Sequence, residues 1–371
     1  MEPWPNSGNP RGKPEGVWTT IPQIRGNNHP AAEIIRRDGR WPCGASQIRV
    51  PVPDREPSTT SRRFGQSAGA TIVGGVLATP EAAGLFRRAI VQSGNGLGAF
   101  TTEQAARVTR AAAEALGTAP HADAFADVSD ERLVEAASRL TGVDLRTGTH
   151  YDPLLGLSPF SLVLDTQPAT AVAAGRGAGV DLLIGTNTEE GNLYLVPFGT
   201  YATSTAADVD EVAARSHPEP AKLVETYRTT RPRASFAELR SALMADALFG
   251  AGSHALADAH AAHPGSATYA YRFAWRSRAL DGQLGATHAV ELPFVFDLTD
   301  LPELNGPRAL LGPHRPPADL AARVHGAWIR FARTGDPGWD PYDTGRRATM
   351  RIDAEWTQLD DPDGRERRAW N

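Results

Sequence analysis

The stretch Gly65-Gln66-Ser67-Ala68-Gly69 sets a serine between two glycines, and the small apolar residues that follow it up to Ala78 have the pattern of a helix. A strand that turns sharply into a helix at such a serine forms a nucleophile elbow, which lifts the hydroxyl clear of the sheet. Glycines suit this turn because it brings backbone and helix too close together for side chains. The stretch therefore predicts an α/β sheet with Ser67 as a candidate nucleophile.

The chain behind the serine alternates short apolar segments with helical ones. Helix signals include the capping-box pair Thr101 and Gln104 with a stop at Gly117, and a second helix start near Ser129. Candidate strands are 88–92, 181–185 and 267–275, and candidate helices include 207–262 and a last amphipathic helix from Pro317 to about Ala332, closed by Gly335. This alternation indicates an α/β sheet with helices on its faces.

The start of the chain differs from the rest. Residues 1–64 hold 10 of the 29 prolines, and only Val17–Ile21 has the pattern of a short strand. Prolines at positions 51, 53 and 57 and the polar run 58–63 predict no buried strand directly before the elbow. We expect an irregular segment over 1–63 and one domain over 64–371.

Composition excludes several functional classes. The net charge of −5 and the lack of a basic run with aromatics argue against a nucleic-acid partner. No apolar run approaches the roughly 18 residues that span a bilayer, and the N-terminus lacks the pattern of a signal peptide. The single cysteine, Cys43, excludes an internal disulfide framework. A cytoplasmic protein is expected, and its oligomeric state stays open.

A serine hydroxyl is a poor nucleophile until a histidine takes its proton, and the imidazole needs an acid to orient it. On such a sheet the acid and the histidine follow the serine in that order, at the tips of later strands. Glu190 comes just past the candidate strand 181–185 and directly before Gly191, so it is the candidate acid. A solvated loop acid has the same pattern, and the neighbouring Glu189 is assigned to solvent.

The chain has ten histidines as candidate bases. His288 lies in a loop, 285–291, that leads into the apolar segment 292–296, which makes it the preferred candidate, although an ordinary loop histidine would have this pattern too. The other histidines that we assign are expected at the surface of a helical segment (His254, His260 and His263), packed in the last helix (His325) or within the irregular start (His29).

Together these segments resemble the type-B carboxylesterases, the family of the cholinesterases and the bacterial para-nitrobenzyl esterases. The resemblance covers about residues 64–371 and implies an α/β-hydrolase fold that is incomplete at the N-terminal side of the sheet. The matching segments are F-G-Q-S-A-G-A (64–70), L-F-R-R-A-I-V-Q-S-G (85–94), L-L-I-G-T-N-T-E-E-G (182–191), G-A-T-H-A-V-E-L-P-F-V-F (285–296) and F-A-R-T-G-D-P-G-W-D-P-Y-D (331–343).

By this resemblance Ser67 is the nucleophile, Glu190 the triad acid and His288 the general base. The implied activity is hydrolysis of small-molecule carboxylic esters through an acyl-enzyme, without a cofactor or metal. Glu190 would remain ionised and hold the imidazole of His288 in the productive tautomer.

The resemblance also assigns the neighbours of these three residues. The amide of Ala68 would donate to the oxyanion, and Ser93 would lie near the triad acid, although a plain strand-end serine has the same pattern. Gln66 stands where many relatives have glutamate, so less negative charge lies beside the nucleophile. This neutral neighbour argues against cationic choline esters as substrates.

The oxyanion site is the part that the sequence does not supply in full. Relatives take further donors from an upstream Gly-Gly loop, whereas residues 1–64 contain no adjacent glycines. Relatives commonly have N-V-T before the elbow phenylalanine, and codons for such a stretch, read one nucleotide late, encode the Thr-Thr-Ser-Arg found at 59–62. Our hypothesis is that much of 1–63 is an out-of-frame or misassigned start; a divergent arm is the alternative.

Three alternatives to a working esterase remain open at this point. A truncated, catalytically impaired relative shares every motif except a complete oxyanion site. A non-catalytic, cholinesterase-like binding protein uses the same fold but tends to lose the triad, which this chain keeps. Peptidase or lyase activity on the same fold is the third alternative.

Overall fold

The computed structural model describes residues 62–371 of the chain. The sheet in this part has six strands, which lie in chain order from one edge to the other. The first five run parallel and the sixth is antiparallel to the fifth. The strands are β1 (Arg62–Gln66), β2 (Arg88–Gln92), β3 (Asp181–Asn187), β4 (Thr268–Phe273), β5 (Ala348–Ile352) and β6 (Thr357–Asp360).

Twelve α-helices connect and cover these strands within the described residues, together with short 3₁₀ segments and one π-helical turn, Asp246–Gly250. They are α1 (Ala68–Ala78), α2 (Thr102–Leu116), α3 (Ala122–Ala126), α4 (Asp130–Ser138), α5 (Pro168–Ala173), α6 (Ala206–Ser216), α7 (Pro220–Thr230), α8 (Phe236–Ala245), α9 (Ala251–Ala261), α10 (Leu292–Val295), α11 (Leu320–Thr334) and α12 (Gly364–Ala369).

Helices cover both faces of the sheet. On one face Leu182 and Ile184 of β3 pack with α1, α5 and α9. On the other face Leu183 of β3 packs in a cluster with α10 and α11. Full burial of each such side chain contributes about 1.5–3 kcal/mol to stability. Because both faces are covered, β3 is a continuous apolar run instead of an alternating one.

A third apolar cluster lies among α6, α7 and α8. Leu195, which follows the 3₁₀ segment Glu190–Tyr194, is buried in this cluster. The cluster therefore braces the chain just past the carboxyl end of β3. In parallel sheets this end of the strands is where functional side chains collect.

Several sequence predictions are confirmed. The α1 helix follows Ser67, and Arg88–Gln92 is a buried strand. The α2 helix has the expected capping box between Thr101 and Gln104, and it ends at Gly117 in the left-handed conformation. These signals are short-range, because each depends on hydrogen bonds between residues a few positions apart.

Other predictions are corrected. A strand does precede the elbow, since Arg62–Gln66 pairs in parallel with Arg88–Gln92. Its first three residues are exposed, so it carries little apolar signal and is held by backbone hydrogen bonds that any side chain permits. The helix predicted from Pro317 begins at Leu320, and it is not the last element, because β5, β6 and α12 follow it.

The predictions for Val17–Ile21, His29, Cys43 and the run 59–61 lie outside the described residues, as does nearly all of the 1–63 segment.

Candidate active site

The turn at Ser67 has the geometry of a nucleophile elbow. Ser67 has φ 57° and ψ −124°, a conformation that costs a non-glycine residue about 1–3 kcal/mol. A Cβ at Gly65 would overlap the carbonyl oxygen of Gly69, so glycine is required at position 65. A Cβ at Gly69 would have no close contact beyond its chain neighbours and its own helix backbone, so no steric overlap requires the second glycine.

Three distant side chains meet at this elbow. Ser67 Oγ lies 2.8 Å from His288 Nε2, and His288 Nδ1 lies 2.6 Å from Glu190 Oε2. With its proton on Nδ1, a neutral imidazole donates to Glu190 and leaves Nε2 free to accept the serine proton. The arrangement can therefore transfer a proton away from the Ser67 hydroxyl.

The Glu190 carboxylate is 1% exposed, and two hydrogen bonds to one of its oxygens hold it in place. Its Oε1 accepts from the backbone N–H of Asn187 at 2.7 Å and from the Ser93 hydroxyl at 2.5 Å. This leaves Oε2 directed at His288. Ser93 has a φ of 50°, and its amide donates to the Gly185 carbonyl oxygen, so the strained backbone at the end of β2 sets its hydroxyl on the acid.

His288 is 4% exposed, and its surroundings favour the protonated form. Burial alone would lower the pKa of His288, but the charge and hydrogen bond of Glu190, with the charge of Glu291, raise it above the ordinary value. An imidazolium formed by taking the Ser67 proton is therefore stabilised inside the site.

A second buried carboxylate, Glu291, lies behind the acid and was not singled out by sequence reasoning. Its oxygens accept from Gln92 Nε2 at 2.9 Å and from Asn187 Nδ2 at 2.6 Å. Burial, and then the charge of Glu190, raise the pKa of Glu291. Only its place three residues after His288, at the end of the same loop, could have pointed to it.

The assignment of Glu189 to solvent is wrong. Its Oε2 accepts from the Ala286 amide at 2.8 Å, and its own amide donates to the Ala286 carbonyl oxygen at 3.0 Å. Its Oε1 forms an ion pair with Arg276 at 2.7 Å. Glu189 therefore holds the loop of His288 from a point next to Glu190. The residues next to Glu189 in sequence could not predict this contact, because its partner Ala286 lies in a distant loop.

Among the other histidines, the prediction that His260 lies at the surface is wrong. It is 1% exposed, and its Nδ1 lies 2.7 Å from Thr268 Oγ1. Desolvation by burial lowers the pKa of His260. His325 is half-buried, and its Nδ1 lies 2.8 Å from the Val295 carbonyl oxygen, in line with the packed position expected for it in α11.

The open side of Ser67 is formed by its two chain neighbours. Gln66 is half-buried, and its Nε2 lies 3.3 Å from His288 Nε2. The Ser67 amide donates to the Gln92 carbonyl oxygen, so it is not free for an oxyanion. Ala68 is exposed and is the first residue of α1. No carbonyl oxygen among residues 62–371 accepts a hydrogen bond from its amide.

No group of three or more His, Cys, Asp or Glu side chains within 62–371 is arranged to hold a metal ion. In the same part of the chain, no helix combines the length and the apolar character required to cross a bilayer.

Comparisons with known proteins agree with this architecture. A model of the carboxylesterase family matches residues 63–367. The chain is similar to a para-nitrobenzyl esterase of Bacillus subtilis strain 168, with 31% identity over 310 residues that cover 82% of this chain and 60% of that protein. It is also similar to a phenmedipham hydrolase of Pseudarthrobacter oxydans, with 30% identity over 293 residues, or 74% of this chain and 54% of that protein.

Solved structures give the same result. A carboxylesterase of Geobacillus stearothermophilus, crystallised at pH 6.2, superposes with a TM-score of 0.69 at 32% identity, over 84% of this chain and 64% of that one. A structure of a para-nitrobenzyl esterase superposes with a TM-score of 0.64 at 29% identity. The fold is thus the α/β-hydrolase fold, and the chain spans less than two thirds of the length of these relatives.

Proposed function

The chain belongs to the carboxylesterase family, and we propose that it hydrolyses small carboxylic esters through a covalent acyl-enzyme on Ser67. The observation that carries this proposal is the hydrogen-bonded series Ser67–His288–Glu190, with distances of 2.8 and 2.6 Å. These three side chains lie at the carboxyl end of a parallel sheet, where a small molecule can reach the serine.

In the acylation half of the reaction, Ser67 Oγ attacks the ester carbonyl carbon while His288 Nε2 takes the hydroxyl proton. Glu190 accepts a hydrogen bond from Nδ1–H throughout and stabilises the imidazolium. The imidazolium then returns the proton to the leaving alcohol as the tetrahedral intermediate collapses. The acyl group remains bound to Ser67 as an ester.

In the deacylation half, water takes the place of the alcohol. His288 removes a proton from the water, and the resulting hydroxide attacks the acyl carbon. Collapse of the second intermediate returns the proton to Ser67 Oγ and releases the carboxylic acid. The strained elbow supports both steps, because it fixes the hydroxyl within reach of Nε2.

The oxyanion of each intermediate lies next to Ser67, where the Ala68 amide is the donor that we assign. Its N–H is the first of helix α1, so the partial positive charge of the helix N-terminus stabilises the oxyanion in addition to the hydrogen bond. Gln66 beside the serine is neutral, which favours uncharged esters over cationic ones.

The alternatives predict different outcomes for the same protein. A binding protein has no need of a histidine between a strained serine and a buried carboxylate, and this contact supports the hydrolase. An impaired hydrolase would keep proton transfer from Ser67 but stabilise the oxyanion poorly. Peptidase or lyase activity finds no specific observation in its favour among the described residues.

The test is hydrolysis of p-nitrophenyl butyrate and p-nitrobenzyl acetate by the purified full chain, its Ser67→Ala variant and a Ser266→Ala control. Ser266 is a half-buried serine that donates to the Ala178 carbonyl oxygen. We expect Ser67→Ala to lower kcat by about 10⁴-fold or more and Ser266→Ala to leave it unchanged. Activity that survives in Ser67→Ala would remove this serine from the mechanism.

A fluorophosphonate probe, followed by mass spectrometry, separates the alternatives when turnover is absent. Labelling of Ser67 without turnover would favour the impaired hydrolase, because the probe needs only an activated hydroxyl. No labelling and no turnover, in a protein with a cooperative thermal melt, would favour a binding protein.

A further inference from the structure

The imidazole of His288 is covered by an aromatic ring that the proposed proton transfer does not use. The ring of Phe249 lies 4.4 Å from it, centroid to centroid, and the two planes differ by 9°. Both side chains are buried, at 6% and 4% exposure. A nearly parallel stack against the group that moves the proton calls for a physical explanation.

The backbone around Phe249 is unusual. It lies in the π-helical turn Asp246–Gly250, which joins α8 to α9. The extra residue of a π-helical turn shifts the following side chains by about 100° around the helix relative to a regular α-helix. Such turns are rare and frequently occur at functional sites. Here the turn carries the side chain that covers His288.

Long-range contacts hold this turn in place. The Asp246 carboxylate accepts a hydrogen bond from the Tyr227 hydroxyl, which itself accepts from Trp370 Nε1 at 2.9 Å. Asn95 Nδ2 donates to the Leu248 carbonyl oxygen at 3.0 Å. A Cβ at Gly250 would overlap the Asp246 carboxylate, so the glycine leaves room for it. Phe249 thus lies on a helical turn that hydrogen bonds from distant parts of the chain hold in place.

The stacking geometry favours a charged imidazole over a neutral one. The face of a benzene ring carries negative charge density, which attracts a cation placed over it more strongly than a neutral imidazole in the same position. The ionisable groups that face His288 are Glu190, Glu291 and Tyr194, whose ring centroid is 6.0 Å away. Glu190 contacts the edge of the imidazole through Nδ1, whereas Phe249 covers its flat face.

We propose that Phe249 is a positioning residue of this site, which holds the imidazole of His288 by its face and stabilises the imidazolium formed when Ser67 gives up its proton. The inference rests on the proposed function for its catalytic meaning. The preference for the charged imidazole is a property of the resting protein, and it can be measured without any substrate.

The test compares Phe249→Leu, which fills a similar volume without an aromatic face, with Phe249→Tyr, which keeps the ring. Phe331→Leu is the matched control, because Phe331 is a fully buried aromatic residue of α11 that packs on Tyr269. Phe249→Met replaces the leucine variant if that variant does not fold. Histidine-labelled protein is titrated by NMR, and the His288 signal is assigned from its loss in His288→Gln.

In Phe249→Leu we expect the pKa of His288 to fall by roughly half a unit to one unit. Phe249→Tyr and Phe331→Leu should titrate like the unmodified protein. If esterase activity is present, the acid limb of kcat/KM should shift by the same amount and in the same direction. An unmoved or raised pKa in Phe249→Leu, or an equal fall in Phe331→Leu, would overturn the inference.

The two measurements, esterase activity and the pKa of His288, distinguish a failure of the proposed function from a failure of the stacking role. A chain without esterase activity that still shows the expected fall in the His288 pKa would contradict the hydrolase proposal and support the stacking role. An active chain with an unmoved pKa would do the reverse.

Discussion

The two sides of Ser67 are built in different ways. The acid side is a set of polar residues that are each less than 5% exposed: Ser93, Asn187, Glu190, His288 and Glu291. The nucleophile side is a run of three consecutive residues that are half-buried or exposed: Gln66, Ser67 and Ala68. Both sides meet at the same serine, yet only one of them is enclosed by packed protein.

This difference separates two requirements of acyl transfer. Proton transfer depends on side chains that β2, β3 and the loop of His288 bring together, and in this part of the site each carboxylate oxygen has a hydrogen-bond partner. Oxyanion stabilisation depends on backbone amides, of which we assign the one at Ala68. A chain of this kind can therefore have all the residues needed for proton transfer whether or not its oxyanion site is complete.

Removing the charge of the acid side should have the largest effect. In Glu190→Gln we expect kcat to fall by about 10⁴-fold, because an amide group facing Nδ1 favours the wrong imidazole tautomer. KM should change little, since Glu190 does not touch the substrate. Steady-state kinetics check this, with Glu81→Gln as a control on an exposed 3₁₀ segment. A loss of less than tenfold would mean that proton transfer does not depend on the acid side.

The nucleophile side is broken by deleting its amide donor. Ala68 is the first residue of α1, a position where proline is tolerated, so Ala68→Pro removes the N–H with little cost to the helix. We expect kcat to fall by about 10²–10³-fold. Ala68→Gly keeps the amide and should stay near the unmodified rate, and thermal melts show whether both variants are folded. Equal activity of the two folded variants would exclude the Ala68 amide as an oxyanion donor.

Glu189, which supports the His288 loop, tests whether the acid side of the site extends beyond the residues in contact with His288. In Glu189→Ala, which frees the Ala286 amide, we expect a 10- to 100-fold loss in kcat, in line with a displacement of about 1 Å at a reacting group. Glu189→Gln keeps an acceptor oxygen and should recover part of this loss.

Arg276→Ala is the matched control for Glu189. The Arg276 side chain is 60% exposed, and ion pairs of this kind contribute roughly 0–1 kcal/mol, so its removal should change kcat by less than about threefold. If Arg276→Ala is as damaging as Glu189→Ala, the ion pair and not the bond to Ala286 holds the loop.

The smallest effect is expected from a new charge on the nucleophile side. In Gln66→Glu a carboxylate beside His288 Nε2 should raise the pKa of His288 further, by about one unit. In the proposed mechanism the neutral imidazole is the base, so activity should be lost as pH falls through this pKa, and a higher pKa should move the acid limb of kcat/KM to higher pH. The rate at neutral pH should then fall several-fold, and the plateau at high pH should change little. Gln66→Met, which adds no charge, should leave the limb in place.

The sequence predicts this structure best where the signals are local. The capping box and glycine stop of α2, the buried β3 and the helix after Ser67 follow from residues a few positions apart. It predicts the structure less well where strand pairing or side-chain packing overrides the local pattern. The exposed residues of β1 gave no strand signal, and His260 in an alanine-rich helix was expected at the surface, although it is buried against Thr268.

The sequence alone determined the α/β class and the elbow at Ser67, because glycine spacing and apolar periodicity are local properties, and its resemblance to a known family pointed to Glu190 and His288 as partners. Tertiary structure decided that these residues meet, across separations of 98 and 221 positions. It also turned Glu189 from a solvated acid into a support of the His288 loop, buried Glu291 behind the acid and stacked Phe249 on the imidazole. The physical reason is that parallel strands bring their carboxyl ends to one edge of a sheet, so side chains far apart in sequence share one buried, low-dielectric environment whose hydrogen bonds and charges no local pattern encodes.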